Sequence, residues 1–231
     1  MGNTDASSTP PLLSVVQDFA RANSIKLVIP SDAEFDTTAA CLIIIPTIKP
    51  LAIIRPKTID DVSAIIIFCT SRSVPFVVRG GGHDCAGRSQ VDGALTIDLR
   101  DMDSSVTVAA DRQTAIVGCG ASLAQVSDAL SAQGLVTPVG SNSTVGYIGW
   151  ATCAGYGMFA KSKGLGVDQV LAAKLVNWEG NVVEAGANDD LLKGIRGAGP
   201  AFGVITELTI KVYPLDKVRL SCQEVFFLFK Y

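Results

Sequence analysis

The chain contains a single histidine, His83, and its six cysteines include no pair at Cys-x-x-Cys spacing. With one imidazole, a zinc centre would need mostly thiolates at spacings these cysteines do not offer, which excludes it. Cys41, Cys69, Cys85, Cys119, Cys153 and Cys222 instead read as free thiols, several in apolar or glycine-rich surroundings, which fits a reducing compartment. Long apolar runs are also missing. Residues 42–45 and 64–69 fall far short of the ~18 residues of a membrane span. Residues 1–9 are polar and lack the basic and apolar regions of a secretory signal. Ala6 stands where an acylation site opening Met1-Gly2 needs serine or threonine. These absences predict a cytoplasmic protein without a membrane partner. The 19 basic and 22 acidic residues are scattered, so no basic stripe exists for nucleic acid. Neither a Rossmann fingerprint nor a Walker loop is present: Gly118-Cys119-Gly120 lacks the third glycine, and Gly164-Leu165-Gly166 has neither spacing nor following acid.

What is abundant is apolar mass and glycine. An apolar content of 48% against 18% charge indicates a packed globular chain, long enough at 231 residues for one good-sized domain or two small ones. The first half alternates strand and helix. Pro10-Pro11 opens a helix with Leu12, Val15, Val16 and Phe19 at helical spacing. Ile53 to Pro56 reads as a short strand. Thr58 caps a helix with Asp60 and Asp61 in its first turn and Val62, Ile65, Ile66 and Cys69 on its inner side. Phe76 to Val78 is a strand, and this first unit ends near Leu95 to Leu99. Strands dominate after residue 105. Hairpins are expected about 111–113 and Glu179-Gly180, helices over 122–132 and 189–195, and a long alternating strand over 202–213.

Two segments carry the chemistry. Arg79-Gly80-Gly81-Gly82-His83-Asp84 follows the strand at Phe76. Three glycines strip side chains from the backbone there, so its N–H groups can approach a phosphate or pyrophosphate, and the imidazole adds a nucleophile or base. The second segment runs from Gly140 through Ser141, Thr144, Val145 and Gly146 to Gly149, Thr152, Gly155 and Gly157. Each interior glycine costs about 0.5–1 kcal/mol in a helix or strand. Close approach of a ligand accounts for them better than helix or strand stability does; a tight turn followed by a closely packed helix is the competing account.

In order along the chain stand Ile54-Arg55-Pro56 with Asp60-Asp61-Val62, Val78 to His83, Leu95 to Arg100 with Met102, Gly140 to Gly146, Gly149 to Gly157, Gly164 to Asp168 and Gly197 to Thr206. In these blocks the chain resembles the FAD-binding domain of the vanillyl-alcohol-oxidase superfamily (PCMH type), closest to berberine-bridge-enzyme-like oxidases of fungi. The resemblance implies an α+β, two-subdomain PCMH-type FAD-binding fold over residues 46–217. Residues 1–45 would be an N-terminal helix and lead-in, and 218–231 a short apolar tail that pairs with a sheet edge or marks an arbitrary end. On this resemblance the separate substrate domain of the family would be missing from these residues, and a partner chain could supply it.

The resemblance also assigns roles. His83 would hold the flavin covalently, and Arg79, Gly80, Gly81, Gly82 and Asp84 would hold its diphosphate. Gly140, Thr144, Val145 and Gly146 would line the flavin. Gly149, Thr152, Gly155 and Gly157 would pass the ribityl chain and diphosphate, and Gly203, Val204 and Ile205 would support the adenine-ribose end or the flavin edge. Many relatives carry a second link through a cysteine where this chain has Asn142, so attachment through His83 alone is expected. Cys153 reads as a buried thiol. The implied activity is oxidation of a small organic substrate by FAD with oxygen as acceptor, in fungal secondary metabolism. The alternatives are a flavin-binding module without turnover and a scaffold for non-redox cyclisation. No metal is expected, and no residue is assigned as catalytic base.

Overall fold

The computed structural model describes residues 11–43, 45 and 47–215. Residues 1–10, the apolar segment 218–231 and Cys222 lie outside the described residues.

The first half comprises helix α1 (Leu12–Ala22), strand β1 (Lys26–Val28), helix α2 (Phe35–Ala39), strand β2 (Ala52–Arg55), helix α3 (Ile59–Ser71), strand β3 (Phe76–Arg79) and strand β4 (Leu95–Asp98). They form a four-stranded sheet in the order β1-β2-β4-β3, with β2, β4 and β3 parallel and β1 antiparallel at the edge. Helix α3 starts where its sequence demands. The Thr58 hydroxyl accepts from the Asp61 amide and the Asp61 carboxylate accepts from the Thr58 amide, satisfying two otherwise orphaned donors. Its buried face carries Val62, Ile65, Ile66, Phe68 and Cys69. Phe68 stacks on Phe19 of α1 with ring centroids 4.1 Å apart, which fastens α1 to α3. β4 lies between two parallel neighbours and is buried at every residue.

The second half is antiparallel. Strands β5 (Val106–Val108) and β6 (Thr114–Gly118) form a hairpin, followed by helix α4 (Leu123–Ser131), strand β7 (Leu135–Val136), and helices α5 (Tyr147–Thr152) and α6 (Ala160–Lys163). Strands β8 (Val170–Val176) and β9 (Val182–Ala185) make a second hairpin, turning at Gly180 with φ +82°. Helix α7 (Asp190–Ala198), strand β10 (Val204–Lys211) and strand β11 (Tyr213–Pro214) complete the described chain. The five-stranded sheet runs β5-β6-β10-β8-β9, so β10 enters between two hairpins made earlier in sequence. Its alternation places Val204, Leu208 and Ile210 in the core.

One cluster of buried side chains spans both halves, from Val16 to Val212. Some elements go beyond the sequence reading: β1 and α2 occupy the lead-in, and β7 pairs with β11. α5 is the closely packed helix that stood as the competing account of the second glycine-rich segment. No described helix is long and apolar enough to cross a membrane.

Candidate cofactor site

The site is built where the loop leaving β3 meets the segment preceding α5. Its floor is a knot of charge. Arg79, the last residue of β3, is fully buried, and the parallel register sets it beside Asp98, the last residue of β4. Arg79 Nη2 donates to Asp98 Oδ2 at 2.8 Å and to the Thr38 carbonyl at 2.7 Å, and Nη1 donates to the Ala39 carbonyl at 3.0 Å. Arg100 Nη2 reaches both Asp98 Oδ2, at 2.7 Å, and the Thr38 carbonyl, at 2.8 Å. Arg55 Nε lies 3.6 Å from the same carboxylate oxygen. Burial alone would raise the Asp98 pKa, but the hydrogen bonds and charges of Arg100 and Arg79 outweigh it and hold the carboxyl below its ordinary value. The two guanidiniums also satisfy carbonyls at the C-terminus of α2, which lacks intrahelical donors for them. The Arg79 side chain, expected at a diphosphate, is therefore directed into the floor, where it ties the lead-in to the base of the loop.

Above this floor the loop is open on one side. A Cβ on Gly80 would meet nothing within 4 Å, whereas one on Gly81 would fall on the Gly146 amide nitrogen and 2.8 Å from the Thr144 carbonyl oxygen. The loop thus touches the second segment through Gly81 and faces outward at Gly80. Gly82 turns the chain at φ +72°. Among the described residues, the N–H groups of Gly80 to His83 donate to no protein acceptor. Asp84 is used locally. Its Oδ1 accepts from the Ala86 amide at 2.8 Å, and Arg88 Nη2 bonds Oδ2 at 2.7 Å. The hydrogen bond from Arg88 is the main reason its pKa is lowered.

His83 is half-buried and points across to the second segment, with Nε2 2.8 Å from Thr144 Oγ1. Thr144 Oγ1 in turn lies 3.0 Å from Asn142 Oδ1, which also accepts from the Thr144 amide at 3.1 Å. The sequence reading listed Thr144 at the site but treated Asn142 only as a departure from the family pattern. No signal in one sequence announces such a contact, because the partners stand 61 residues apart.

The remaining expected positions divide into two kinds. Gly149, on the exposed side of α5, would have nothing within 4 Å of a Cβ, so protein packing does not require glycine there. The others are demanded by the protein itself. A Cβ on Gly140 would lie 2.9 Å from Trp150 Nε1, one on Gly146 2.8 Å from the Gly81 amide nitrogen, and one on Gly155 2.6 Å from Gly166 Cα. On Gly157 it would collide with the Val139 carbonyl oxygen, and on Gly203 with that of Val176. Thr152 is fully buried and its hydroxyl donates to the Ile148 carbonyl at 2.8 Å. Val204 and Ile205 are buried in β10, while Val145 is half-buried beside the loop. Close approach explains most of these small residues, as the pattern suggests, but the approaching partner is usually this chain's own backbone. Cys153 is exposed rather than buried, a correction that follows from its place at the end of α5, where the helix leaves the core.

Residues 50–186 match the FAD binding domain family. The chain belongs to that family, in its PCMH-type, vanillyl-alcohol-oxidase form. This FAD-binding domain is 34% identical over 173 residues to the FAD-linked oxidoreductase aurO of Gibberella zeae, covering 75% of this chain and 34% of that protein. It is 30% identical over 199 residues to (R)-6-hydroxynicotine oxidase of Paenarthrobacter nicotinovorans, covering 85% of this chain and 43% of that one. Among solved structures, BBE-like 1 of Physcomitrella patens superposes with a TM-score of 0.81 at 29% identity, over 87% of this chain and 44% of the other. A chitooligosaccharide oxidase superposes with a TM-score of 0.80 at 31% identity, over 87% and 43%. The chain spans about a third of the length of the FAD-linked oxidoreductase of Gibberella zeae.

The residues of the FAD-binding domain fit the cofactor. Among the described residues the amides from Gly80 to His83 have no protein acceptor, which suits an anionic diphosphate, and Gly80 and Gly149 each have open space where a side chain would stand. Neither bare face is explained by packing.

Proposed function

We propose that residues 46–217 form the unit that holds FAD, with the diphosphate on the backbone of Gly80 to Asp84 and the flavin attached covalently through His83 alone. The observation that carries this reading is the position of His83. The one imidazole of the chain sits at the end of a loop whose amides and Nδ1 have no partner among the described residues, and it is held by Thr144. Asn142 supplies no thiol for a second link. In this reading Gly140, Val145, Gly146 and Thr152 shape the wall, and Arg79 supports the loop from below.

Bound FAD would supply acceptance of hydride from a small organic substrate and delivery of the electrons to oxygen. The names of the relatives support an oxidase: one is a hydroxynicotine oxidase, another a chitooligosaccharide oxidase. Fungal FAD-linked oxidoreductases among them support a place in secondary metabolism. Free thiols at the buried Cys69 and Cys119 support a reducing, cytoplasmic setting.

The test is to incubate the protein with FAD, denature it and follow flavin fluorescence on a denaturing gel. Fluorescence should migrate with the chain and disappear in His83→Ala. Fluorescence retained in that variant would sink attachment through His83. Release of peroxide from a panel of alcohols, phenols and amines tests the oxidase part separately.

A further inference from the structure

Three hydrogen bonds at the site fix the position of a proton. The amide of Thr144 can only donate, so the Asn142 atom 3.1 Å from it must be the carbonyl oxygen Oδ1 and not the amide nitrogen. That same Oδ1 lies 3.0 Å from Thr144 Oγ1. Two oxygens at this distance need a hydrogen between them, and only the hydroxyl has one, so Thr144 donates to Asn142. Its single hydrogen is then spent. Towards His83 Nε2, 2.8 Å away, Thr144 Oγ1 can act only as an acceptor. The neutral ring must therefore carry its hydrogen on Nε2 and its lone pair on Nδ1.

We propose that Asn142, acting through Thr144, is a positioning residue that holds His83 in the Nε2–H tautomer and so selects Nδ1 as the nitrogen that bonds the flavin. The inference rests on the covalent attachment proposed above. Attachment breaks a methyl C–H bond of the flavin and the Nε2–H bond of the ring and forms one C–N bond. The two electrons and two protons released go to oxygen, giving hydrogen peroxide. Thr144 is exposed and His83 only half-buried, so the Nε2 proton can pass to solvent water. The residue where the relatives' second link would stand thus keeps a task directed at the first.

Because His83 is the only histidine, long-range proton–nitrogen correlation on 15N-labelled, flavin-free protein reads this ring without assignment. The measurement is made at a pH where the ring is neutral. The wild type should show a protonated Nε2 and a pyridine-like Nδ1. Asn142→Ala frees the Thr144 hydroxyl to donate instead. The ratio of Nε2–H to Nδ1–H should fall about three- to tenfold, the range expected for one lost hydrogen bond. Thr144→Val should lower it as well, while Asn142→Asp and Thr144→Ser, which keep the acceptor and the hydroxyl, should restore it. The rate of covalent flavin incorporation should follow the same order. An unchanged ratio in Asn142→Ala, or an Asn142→Asp protein that behaves like Asn142→Ala, would overturn the relay. Since the ratio is read without flavin, its result stands apart from that of the His83→Ala gel.

Discussion

The two glycine-rich segments that meet at His83 are held in place by opposite means. The loop after β3 rests on charge: one buried carboxylate, Asp98, gathers Arg79 and Arg100 and lies close to Arg55. The segment around α5 rests on shape, with bare backbone pressed against backbone at Gly157 and Val139 and at Gly155 and Gly166. The first arrangement tolerates side-chain volume at Gly80, though not at Gly81 where it meets the second segment, and it does not tolerate the loss of a charge. The second tolerates no added carbon at most of its glycines and contains no buried ion pair of its own. A cofactor site made from both inherits two independent points of failure.

Substitution of Asp98 by asparagine strikes the first segment hardest. It leaves Arg79 buried without its counter-charge, and removal of one member of a buried pair costs about 3–5 kcal/mol. Urea unfolding should register that loss. The same group gives the fold an acid limit. Because its folded pKa is held below the unfolded value of about 3.9, its contribution is present above that pH and is lost as pH falls through the folded value. Asp98→Asn should therefore flatten the dependence of stability on pH below about 4.

Gly157→Ala is the matching blow to the second segment. Its added carbon collides with the Val139 carbonyl, and overpacking of this kind costs about 1–3 kcal/mol. That loss should be independent of pH, and a variant whose deficit changed with acid would contradict the division drawn above. Gly149→Ala should go the other way. With open space around it and a helical backbone, it should gain about 0.5–1 kcal/mol of stability. Its uptake of FAD, followed by flavin absorbance, should nonetheless fall. A Gly149→Ala protein that binds FAD as the wild type does would remove that face from the site.

Much of the fold was legible because its signals are local. The capping box at Thr58 and Asp61, the inner face of α3, both hairpins and the alternation of β10 are each written within a short stretch of contiguous sequence. The lead-in was not, since β1 has three residues and gains its place only by pairing with β2. α5 was legible only as the competing account of its segment, because Tyr147 to Thr152 stands in a small-residue run with no side-chain cap at Gly146. At the candidate site, the sequence drew attention to His83 and the loop before it. The destination of Arg79 was not legible, because Asp98, Thr38 and Ala39 reach it through sheet register and chain crossing. Nor could the glycines be sorted in advance. What each one touches, such as Gly81 against Gly146, is set by segments far apart in sequence.

The central place of β10 carries a consequence for how the molecule is made. Its two neighbours, β6 and β8, end at Gly118 and Val176, whereas β10 begins only at Val204. During synthesis, the β5–β6 and β8–β9 hairpins emerge first and cannot form a common sheet until residue 211 has cleared the ribosome. Pairings so distant in sequence close slowly, because the loop entropy is lost before the contacts are gained. Until then two hairpins present open edges, and those edges are the points at which a nascent chain of this kind is exposed to chaperones and to its own copies.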